Sequence, residues 1–276
     1  MKNRLPHTTL LTRVARLTRV VLHFLVGFFM LATSFARRPA EQRAEITLAW
    51  SKKFLAILGF EIRLSGAPPE RMPRNTLVVC NHISWIDILV LASCSSTRFI
   101  AKKEILHWPV VGKLIQRGGT LFIDRSNRRD ASRVNKHMAE ALQNGDSLTV
   151  FPEGTTSLGH GLLPFKASLF ESAILAGSVV QPVAIRYRDE TGHVTTAPSY
   201  AGETTFWECL RRVLRLRKIV IDIHFGAALH TGQGRFTTRA ELAEAARLEV
   251  EHGFTLLSDR PGKAMKTPAC PPVEVP

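Results

Sequence analysis

The sequence predicts an α/β fold with a central, mostly parallel sheet covered by helices on both faces. Short apolar runs suited to buried strands alternate with helical patterns along most of the chain. Runs that are apolar throughout are typical of strands buried on both faces. The composition, 45% hydrophobic and 22% charged over 276 residues, is that of a globular protein. We therefore expect one main domain of about 200 residues with an attached segment.

The attached segment is the N-terminus, which combines positive charge with an apolar stretch. Residues 20–36 are apolar except for His23, Thr33 and Ser34, and these 17 residues are at the short end for a membrane span. Seven of the fourteen net positive charges lie in residues 1–40, which contain no acid. These basic residues are Lys2, Arg4, Arg13, Arg16, Arg19, Arg37 and Arg38. Basic charge around apolar sequence favours a membrane over nucleic acid as the acidic partner.

A helical projection of this segment places Arg13, Arg16, Arg19 and His23 on one stripe. We interpret the segment as an uncleaved anchor that lies in the membrane interface at its start, with these arginines toward headgroups, and inserts more deeply near Phe28. The alternative is a secretory signal peptide cleaved after Ala36, since Ser34, Phe35 and Ala36 form a small-x-small site.

The remaining elements follow in order along the chain. Apolar periodicity predicts helices at 40–58, 86–92, 104–116, 130–143, 167–175 and 241–257. Apolar runs predict strands at 60–64, 76–80, 98–101, 120–123, 148–151, 179–186 and 219–225. Gly145 and Gly177 mark helix ends, and Pro182 inside an apolar run indicates an edge strand or a bulge. The predicted organisation is membrane-associated helices at 1–60, one domain at 61–258 and a disordered, proline-rich tail at 259–276.

A histidine and a carboxylate five residues apart, His82 and Asp87, follow the predicted strand 76–80. Five helical residues turn the chain by 500°, so the two side chains can pair only if His82 lies on the turn before the helix. A paired carboxylate would hold the imidazole tautomer and stabilise the imidazolium formed when the base accepts a proton. The alternative is structural, because Ser84 and Asp87 form an S-x-x-D helix start in which Asp87 only caps the helix.

Three further segments offer binding groups near predicted strand ends. Arg125 follows the glycine-led strand 120–123 and is suited to bidentate phosphate binding, unless it is a surface arginine. Residues 151–157 read Phe-Pro-Glu-Gly-Thr-Thr-Ser, a tight loop in which Gly154 lets backbone N–H groups approach a ligand. Lys166 lies at a predicted helix start. Ser157 lacks the G-x-S-x-G elbow of a serine hydrolase.

Taken together and in this order, the four segments resemble the glycerolipid acyltransferase family typified by 1-acyl-glycerol-3-phosphate acyltransferase. The matching blocks are Asn81 to Asp87, Gly119 to Arg125, Phe151 to Thr155 and the run around Pro182, so the resemblance covers roughly residues 77–185. It implies that His82, oriented by Asp87, deprotonates the acceptor hydroxyl, which then attacks an acyl thioester directly.

The resemblance also implies the binding residues and the partners. Arg125, Glu153 and Gly154 would bind the lysolipid headgroup. The hydroxyl of Thr155 and the ammonium of Lys166, at the predicted helix start, are further candidates for the same role. The acyl donor would be acyl-CoA or acyl carrier protein, with no cofactor and no metal. The expected reaction converts 1-acyl-sn-glycerol-3-phosphate to phosphatidate in phospholipid biosynthesis, at the cytoplasmic face of the inner (plasma) membrane.

One position departs from the family pattern. Family members that use lysophosphatidate usually carry an arginine after Glu-Gly-Thr, where this chain has Thr156. A lyso-ornithine lipid or another lysolipid is therefore an alternative acceptor. For a lysophosphatidate acceptor, Lys102, Lys103 and Lys166 are candidates to replace the missing arginine as phosphate partners. A non-enzymatic basic membrane-binding protein would explain the charge but would leave the four ordered blocks and His82 without a role.

Overall fold

The computed structural model describes residues 7–69, 72–95, 97–102, 120–123 and 128–258, and within them the chain forms one sheet with helices on both faces. The sheet order is β1-β7-β6-β2-β5-β3-β4, and β8 pairs with β6 beside β7. The pairing is parallel except for β6 with β7 and β6 with β8. The predicted α/β class with a mostly parallel sheet is therefore confirmed.

The strands lie close to the predicted apolar runs. Their bounds are β1 Phe60–Gly66, β2 Thr76–Cys80, β3 Arg98–Lys102, β4 Leu121–Ile123, β5 Ser147–Val150, β6 Val179–Asp189, β7 Ile219–Phe225 and β8 Leu229–His230. β8 was not predicted from the sequence, because a strand of two residues carries no periodicity. β2 and β5 are buried along their whole length, as expected of central parallel strands.

The helices within the described residues are seven, in addition to short 3-10 turns. They are α1 Leu10–Thr33, α2 Ala40–Leu58, α3 Ile86–Cys94, α4 Arg128–Gln143, α5 Glu171–Ala176, α6 Phe206–Arg215 and α7 Arg239–Ser258. α6 was not predicted, although Thr205 and Glu208 form a capping box at its start. The predicted helix 104–116 and the predicted tail 259–276 lie outside the described residues.

Two hydrophobic clusters lie on opposite faces of the sheet. Successive residues of β2 point to alternate faces, so Val78 packs with α2, α3 and α6, and Val79 packs with α4, α5 and α7. Both faces of β2 are covered, so the chain turns at the carboxyl end of the strand, where Asn81 is still buried and His82 is partly exposed.

Of the two alternatives that Pro182 offered, an edge strand or a bulge, the edge strand is wrong, since β6 is an internal strand. It pairs with β2 on one side, and on the other with β8 through Val179 and Val180 and with β7 from Val183 onward. Pro182 lies between these two pairings, and its carbonyl accepts the Gly226 N–H at 3.0 Å. The missing proline N–H therefore falls at a break in the ladder, where it removes no strand bond.

The N-terminal helix α1 packs against α2 through a reciprocal histidine–tryptophan contact. The rings of His23 and Trp50 stack with centroids 4.7 Å apart, and His23 Nε2 lies 2.9 Å from the Trp50 carbonyl. Gly27 makes this approach possible, because a Cβ there would lie 2.6 Å from Trp50 Nε1. The two helices thus form a close pair at the position of the predicted membrane segment.

Three members of the stripe on α1 face the protein, which contradicts for them the expectation that they face lipid headgroups. Arg16 donates to the carbonyls of Leu216 and Arg217, Arg13 donates to the Thr8 carbonyl, and His23 is buried, whereas Arg19 is exposed. The large apolar side chains that α1 leaves exposed are Leu10, Leu11, Val14, Val21, Leu22, Phe24, Leu25, Val26, Phe28 and Phe29. An arginine that satisfies helix-end carbonyls of the body fixes α1 in place and turns its apolar side outward.

With 24 residues, α1 is also longer than the apolar stretch read from the sequence. At 1.5 Å per residue it extends about 36 Å, against a hydrocarbon core of about 30 Å. By length and composition α1 can cross a membrane, although a signal sequence meets the same criterion.

Candidate active site

The carboxyl ends of β2 and β5 lie side by side at one end of the sheet, and the residues that follow these strands form the site. These strands are adjacent and parallel, so Asn81 and His82 after β2 lie beside Phe151, Pro152 and Glu153 after β5. In open α/β sheets, ligands bind at the carboxyl ends of the strands because loops from neighbouring strands converge there. The first and third sequence segments are thus brought together by the strand order.

Asn81 explains why the chain leaves the sheet at this point. Its side-chain Oδ1 accepts the Ile185 N–H at 2.7 Å, and its Nδ2 donates to the Ile185 carbonyl at 3.0 Å. The amide therefore takes the place of a backbone partner for β6, and the main chain of the following residue is free to turn away. Asn81 is buried, so both of its bonds form in a low-dielectric environment.

His82 lies on that turn, ahead of α3, and its ring pairs with Asp87. His82 Nδ1 is 2.8 Å from Asp87 Oδ2, and the side chain is 17% exposed while Asp87 is fully buried. A carboxylate only accepts, so Nδ1 carries the proton and Nε2 holds the free lone pair. The ring also stacks on Phe151, with centroids 3.9 Å apart and planes 12° from parallel. Pairing on one edge and stacking on one face fix the direction in which Nε2 points.

Asp87 has both of the roles that the sequence suggested: it caps the start of α3 and it pairs with the His82 ring. Its Oδ2 accepts the backbone N–H groups of Ile83 and Ser84, at 2.7 and 2.8 Å, as a helix-start carboxylate does. The same oxygen accepts from His82, and Oδ1 accepts the hydroxyl of Tyr187 at 2.5 Å. Every partner is a donor, so the four bonds stabilise the ionised carboxylate.

Tyr187 is a site residue that sequence reasoning missed. It lies on β6, fully buried, and burial together with the nearby Asp87 charge raises the pKa of its phenol well above the ordinary value. The phenol therefore stays a donor to Asp87. Its position 100 residues from Asp87 leaves no local signal, and only the pairing of β6 with β2 brings the two together.

Glu153 holds the backbone of His82 in place. Its Oε1 accepts the His82 N–H at 3.0 Å, its Oε2 accepts the Leu163 N–H at 3.3 Å, and the side chain is buried. The His82 carbonyl in turn accepts the Ser157 N–H at 2.8 Å. Both ends of the His82 residue are thus tied to the 151–163 loop. The sequence-based expectation gave Glu153 a headgroup-binding role, whereas both of its oxygens are bound to backbone within the protein.

The Glu153 carboxyl is unusually hard to ionise. Burial raises its pKa from 4.5 to about 7, against the opposing effect of the two backbone N–H donors. Protonation at one oxygen would weaken a bond to one of those donors, because a protonated oxygen accepts poorly. The site therefore contains a carboxyl whose charge changes near neutral pH.

The other predicted binding residues differ in how the structure places them. Gly154 has φ of +74°, and a Cβ there would lie 2.4 Å from Lys166 Nζ, so the lysine ammonium rests directly over this glycine. Thr155 is exposed on the same loop, whereas the hydroxyl of Thr156 donates to the Tyr200 carbonyl. Arg125 and Lys103 lie outside the described residues, as does the side chain of Lys102.

The arrangement has the parts needed for general-base chemistry. An oriented imidazole with a free Nε2 can take a proton from a hydroxyl, and the buried carboxylate stabilises the resulting imidazolium. In the part of the chain that the structure describes, no three His, Cys, Asp or Glu side chains lie together as ligands for a metal ion.

Comparison with known proteins identifies the chemistry. The Acyltransferase family model matches residues 63–186, which include His82, Asp87 and Glu153 and end one residue before Tyr187. The chain is 38% identical over 242 residues to the 1-acyl-sn-glycerol-3-phosphate acyltransferase of Neisseria gonorrhoeae, covering 87% of this chain and 93% of that protein. The chain belongs to the acyltransferase family.

Other acyltransferases are similar to this one. The lyso-ornithine lipid O-acyltransferase of Pseudomonas aeruginosa is 39% identical over 212 residues, which cover 77% of this chain and 78% of the relative. The crystal structure of the 1-acyl-sn-glycerophosphate (LPA) acyltransferase PlsC from Thermotoga maritima has the same fold, with a TM-score of 0.64 at 24% identity. That match covers 90% of this chain and 100% of the PlsC chain.

We expect Tyr187→Phe to lower activity by about tenfold, since a hydrogen bond to a charged group contributes roughly 1.5–3 kcal/mol. Asp87 Oδ1 would lose its hydroxyl donor, so the carboxylate would hold the His82 ring less firmly. The measurement is kcat/KM at a single pH, together with the melting temperature. Thr231→Val is the control, since it removes another buried hydroxyl that bonds only backbone carbonyls. A similar loss of activity in this control would rule out a specific role for Tyr187.

We expect Glu153→Gln to flatten the pH dependence of stability between pH 4.5 and 7. Because burial raises the folded-state pKa above the unfolded value, the folded protein binds more protons in this window, and the wild-type free energy of unfolding falls as pH rises through it. Glutamine does not titrate, so this decline disappears. Melting temperatures of both proteins at pH 5 and pH 8 test the expectation, and equal declines would contradict it.

Proposed function

We propose that this acyltransferase moves a fatty acyl group from acyl-CoA or acyl carrier protein to the hydroxyl of a lysolipid. The observation that carries the proposal is the pair of His82 and Asp87 at the carboxyl ends of β2 and β5, with Nε2 as the free ring nitrogen. The acceptor is 1-acyl-sn-glycerol-3-phosphate and the product is phosphatidate. The reaction needs no metal or cofactor, because the thioester is already activated.

In the proposed reaction, His82 Nε2 removes the proton of the acceptor hydroxyl as its oxygen attacks the thioester carbonyl. A new C–O ester bond forms, the C–S bond breaks, and the departing thiolate takes the proton from the imidazolium. Asp87 stays ionised throughout and stabilises the imidazolium. Glu153 and Asn81 hold the main chain at His82 in position, and Phe151 stacks on the His82 ring.

Lys166 supports an anionic acceptor headgroup. Its ammonium lies over Gly154 on the loop that carries Glu153, and its side chain is exposed. It supplies a cation at Gly154, two residues before Thr156, which replaces the usual arginine of the family. The same arrangement is compatible with lyso-ornithine lipid as an alternative acceptor, on which the Pseudomonas relative is named to act.

The proposed location is the cytoplasmic face of the inner membrane, with α1 as an uncleaved anchor. The exposed apolar side chains of α1 need a nonpolar environment, while Arg16 bonds the protein body. The cytosol also holds the acyl thioesters that the reaction consumes, so the active site must face it.

We expect membranes carrying the wild-type enzyme to acylate lysophosphatidate in preference to lyso-ornithine lipid, with either acyl-CoA or acyl carrier protein as donor. His82→Ala should lower kcat by about 10²- to 10⁴-fold, the range of general-base contributions. The measurement is initial rate for each donor and acceptor pair, and His160→Ala, on the loop beyond the site, is the matched control.

Retention of more than a tenth of wild-type kcat by His82→Ala would overturn the base assignment. Preference for lyso-ornithine lipid would replace the proposed acceptor and leave the mechanism intact. Absence of transfer to any lysolipid would overturn the function itself.

We expect deletion of residues 1–36 to leave turnover of short-chain, soluble analogues nearly unchanged and to reduce turnover of bilayer substrate strongly. The physical reason is that the deletion removes α1 but none of the residues that hold His82. N-terminal sequencing of the protein from membranes is the accompanying check. A mature chain that begins at Arg37 would show a cleaved signal and would contradict the cytoplasmic location.

A further inference from the structure

The exposed side of α6 carries two aromatic and two basic side chains that the proposed chemistry does not use. Trp207 and Phe206, at the start of the helix, are 69% and 42% exposed. Trp207, Arg211 and Arg215 follow one another at intervals of four residues, so they lie on one stripe of about 80°. The side chains of Cys209, Leu210, Val213 and Leu214 are buried on the opposite side.

These features are unusual for a helix that meets only water. An exposed tryptophan beside a phenylalanine is costly in water, and in membrane proteins such aromatic side chains concentrate at the membrane interface. Arg211 and Arg215 are exposed and form no ion pair with any described residue. Arginines aligned with a tryptophan on one stripe match a surface of anionic headgroups over an apolar interior.

The aromatic end of α6 is connected to α1 by a chain of ring contacts that passes through the buried Phe54. Phe24 of α1 contacts Phe54 with ring centroids 5.3 Å apart, and Phe54 contacts Trp85 at 6.2 Å. Trp85 then contacts Phe206 at 5.1 Å, and Phe206 contacts Trp207 at 5.7 Å. At its other end, the Leu214 carbonyl of α6 accepts the hydroxyl of Thr8, just before α1, and the Leu216 carbonyl after α6 accepts from Arg16 of α1.

The same helix is tied to the turn that carries His82. Trp85 lies three residues after His82, and the Ile83 carbonyl accepts the N–H of Tyr200. Arg212 donates to the carbonyl of Ser199, which anchors that loop to α6. A membrane surface that binds α6 would therefore also fix the distance between that surface and the turn that carries His82.

We infer that the stripe formed by Trp207, Arg211 and Arg215, with Phe206 beside Trp207 at the helix start, is a second membrane contact, which seats the catalytic turn on an anionic bilayer. The inference rests on the proposed function, since it concerns how the enzyme reaches a lysolipid held in a membrane. α1 holds the enzyme at the bilayer, and α6 orients it so that His82 lies at headgroup depth. The lysolipid then reaches the site without leaving the membrane surface.

The direct test is quenching of tryptophan fluorescence by lipids with brominated acyl chains. Full-length protein is reconstituted in vesicles of phosphatidylethanolamine and phosphatidylglycerol in a three-to-one ratio. The chain has four tryptophans, so Trp207→Phe removes one emitter, and wild-type protein should show an additional quenched component that this variant lacks. Equal quenched fractions in both proteins would overturn the inference. This readout does not require turnover, so it stands apart from any failure of the proposed function.

The kinetic test uses Arg211→Gln/Arg215→Gln. We expect turnover on these vesicles to fall by about fivefold or more, since one arginine near an anionic surface contributes about fivefold to binding. Turnover of a soluble short-chain analogue should not change. Arg133→Gln/Lys136→Gln on α4 is the matched control, because it removes two exposed charges from the opposite face of the sheet and should retain wild-type rates.

Three results would count against the inference. An equal loss on the soluble analogue would show that α6 supports the site itself. An equal loss in the α4 control would show a general charge effect. A loss confined to acyl carrier protein as donor, with unchanged quenching, would make the stripe a docking surface for that acidic protein.

Discussion

The buried carboxylate of Asp87 is the interaction on which the rest of the site depends. It is fully buried and accepts four hydrogen bonds, from the His82 ring, from two N–H groups at the start of α3 and from Tyr187 of β6. A charge in that position would be expensive without those donors. One group thereby joins the turn after β2, the first turn of α3 and the middle of β6. The ring of His82 takes its tautomer and direction from the same contact.

A second set of contacts fixes the main chain rather than the ring. Asn81 substitutes for a strand partner of Ile185, and Glu153 takes the N–H of His82. The first contact decides where the chain leaves the sheet, and the second decides how it approaches the loop after β5. Glu153 is the more sensitive of the two, because burial raises its pKa to about 7 and its charge varies near neutral pH. Residues that follow two neighbouring parallel strands, β2 and β5, thus hold His82 in position.

The arginines of α1 show that residues arranged in a familiar pattern can have a role different from the one that the pattern indicates. A stripe of arginines beside leucines is typical of an interfacial helix with its cations toward lipid. Here Arg16 satisfies carbonyls that follow α6, and the apolar residues are exposed instead. The projection identified the stripe correctly but carried no information about which side meets the body. The partner carbonyls of Leu216 and Arg217 lie 200 residues away in the sequence.

The sequence by itself determined most of the fold and the chemical class of the site. The bounds predicted for α2, β2 and β7 agree with the structure, because α2 has a clear helical period and the two strands are uninterrupted or nearly uninterrupted apolar runs. The ordered blocks around His82 and Glu153 predicted the acyltransferase family. Only the tertiary structure decided the roles that depend on distant partners. It paired Tyr187 with Asp87, turned Glu153 toward backbone and placed Pro182 inside the sheet at a break in the ladder. Local sequence records periodicity and spacing, whereas hydrogen bonds between strands depend on which edges meet, and that is set only when the sheet has formed.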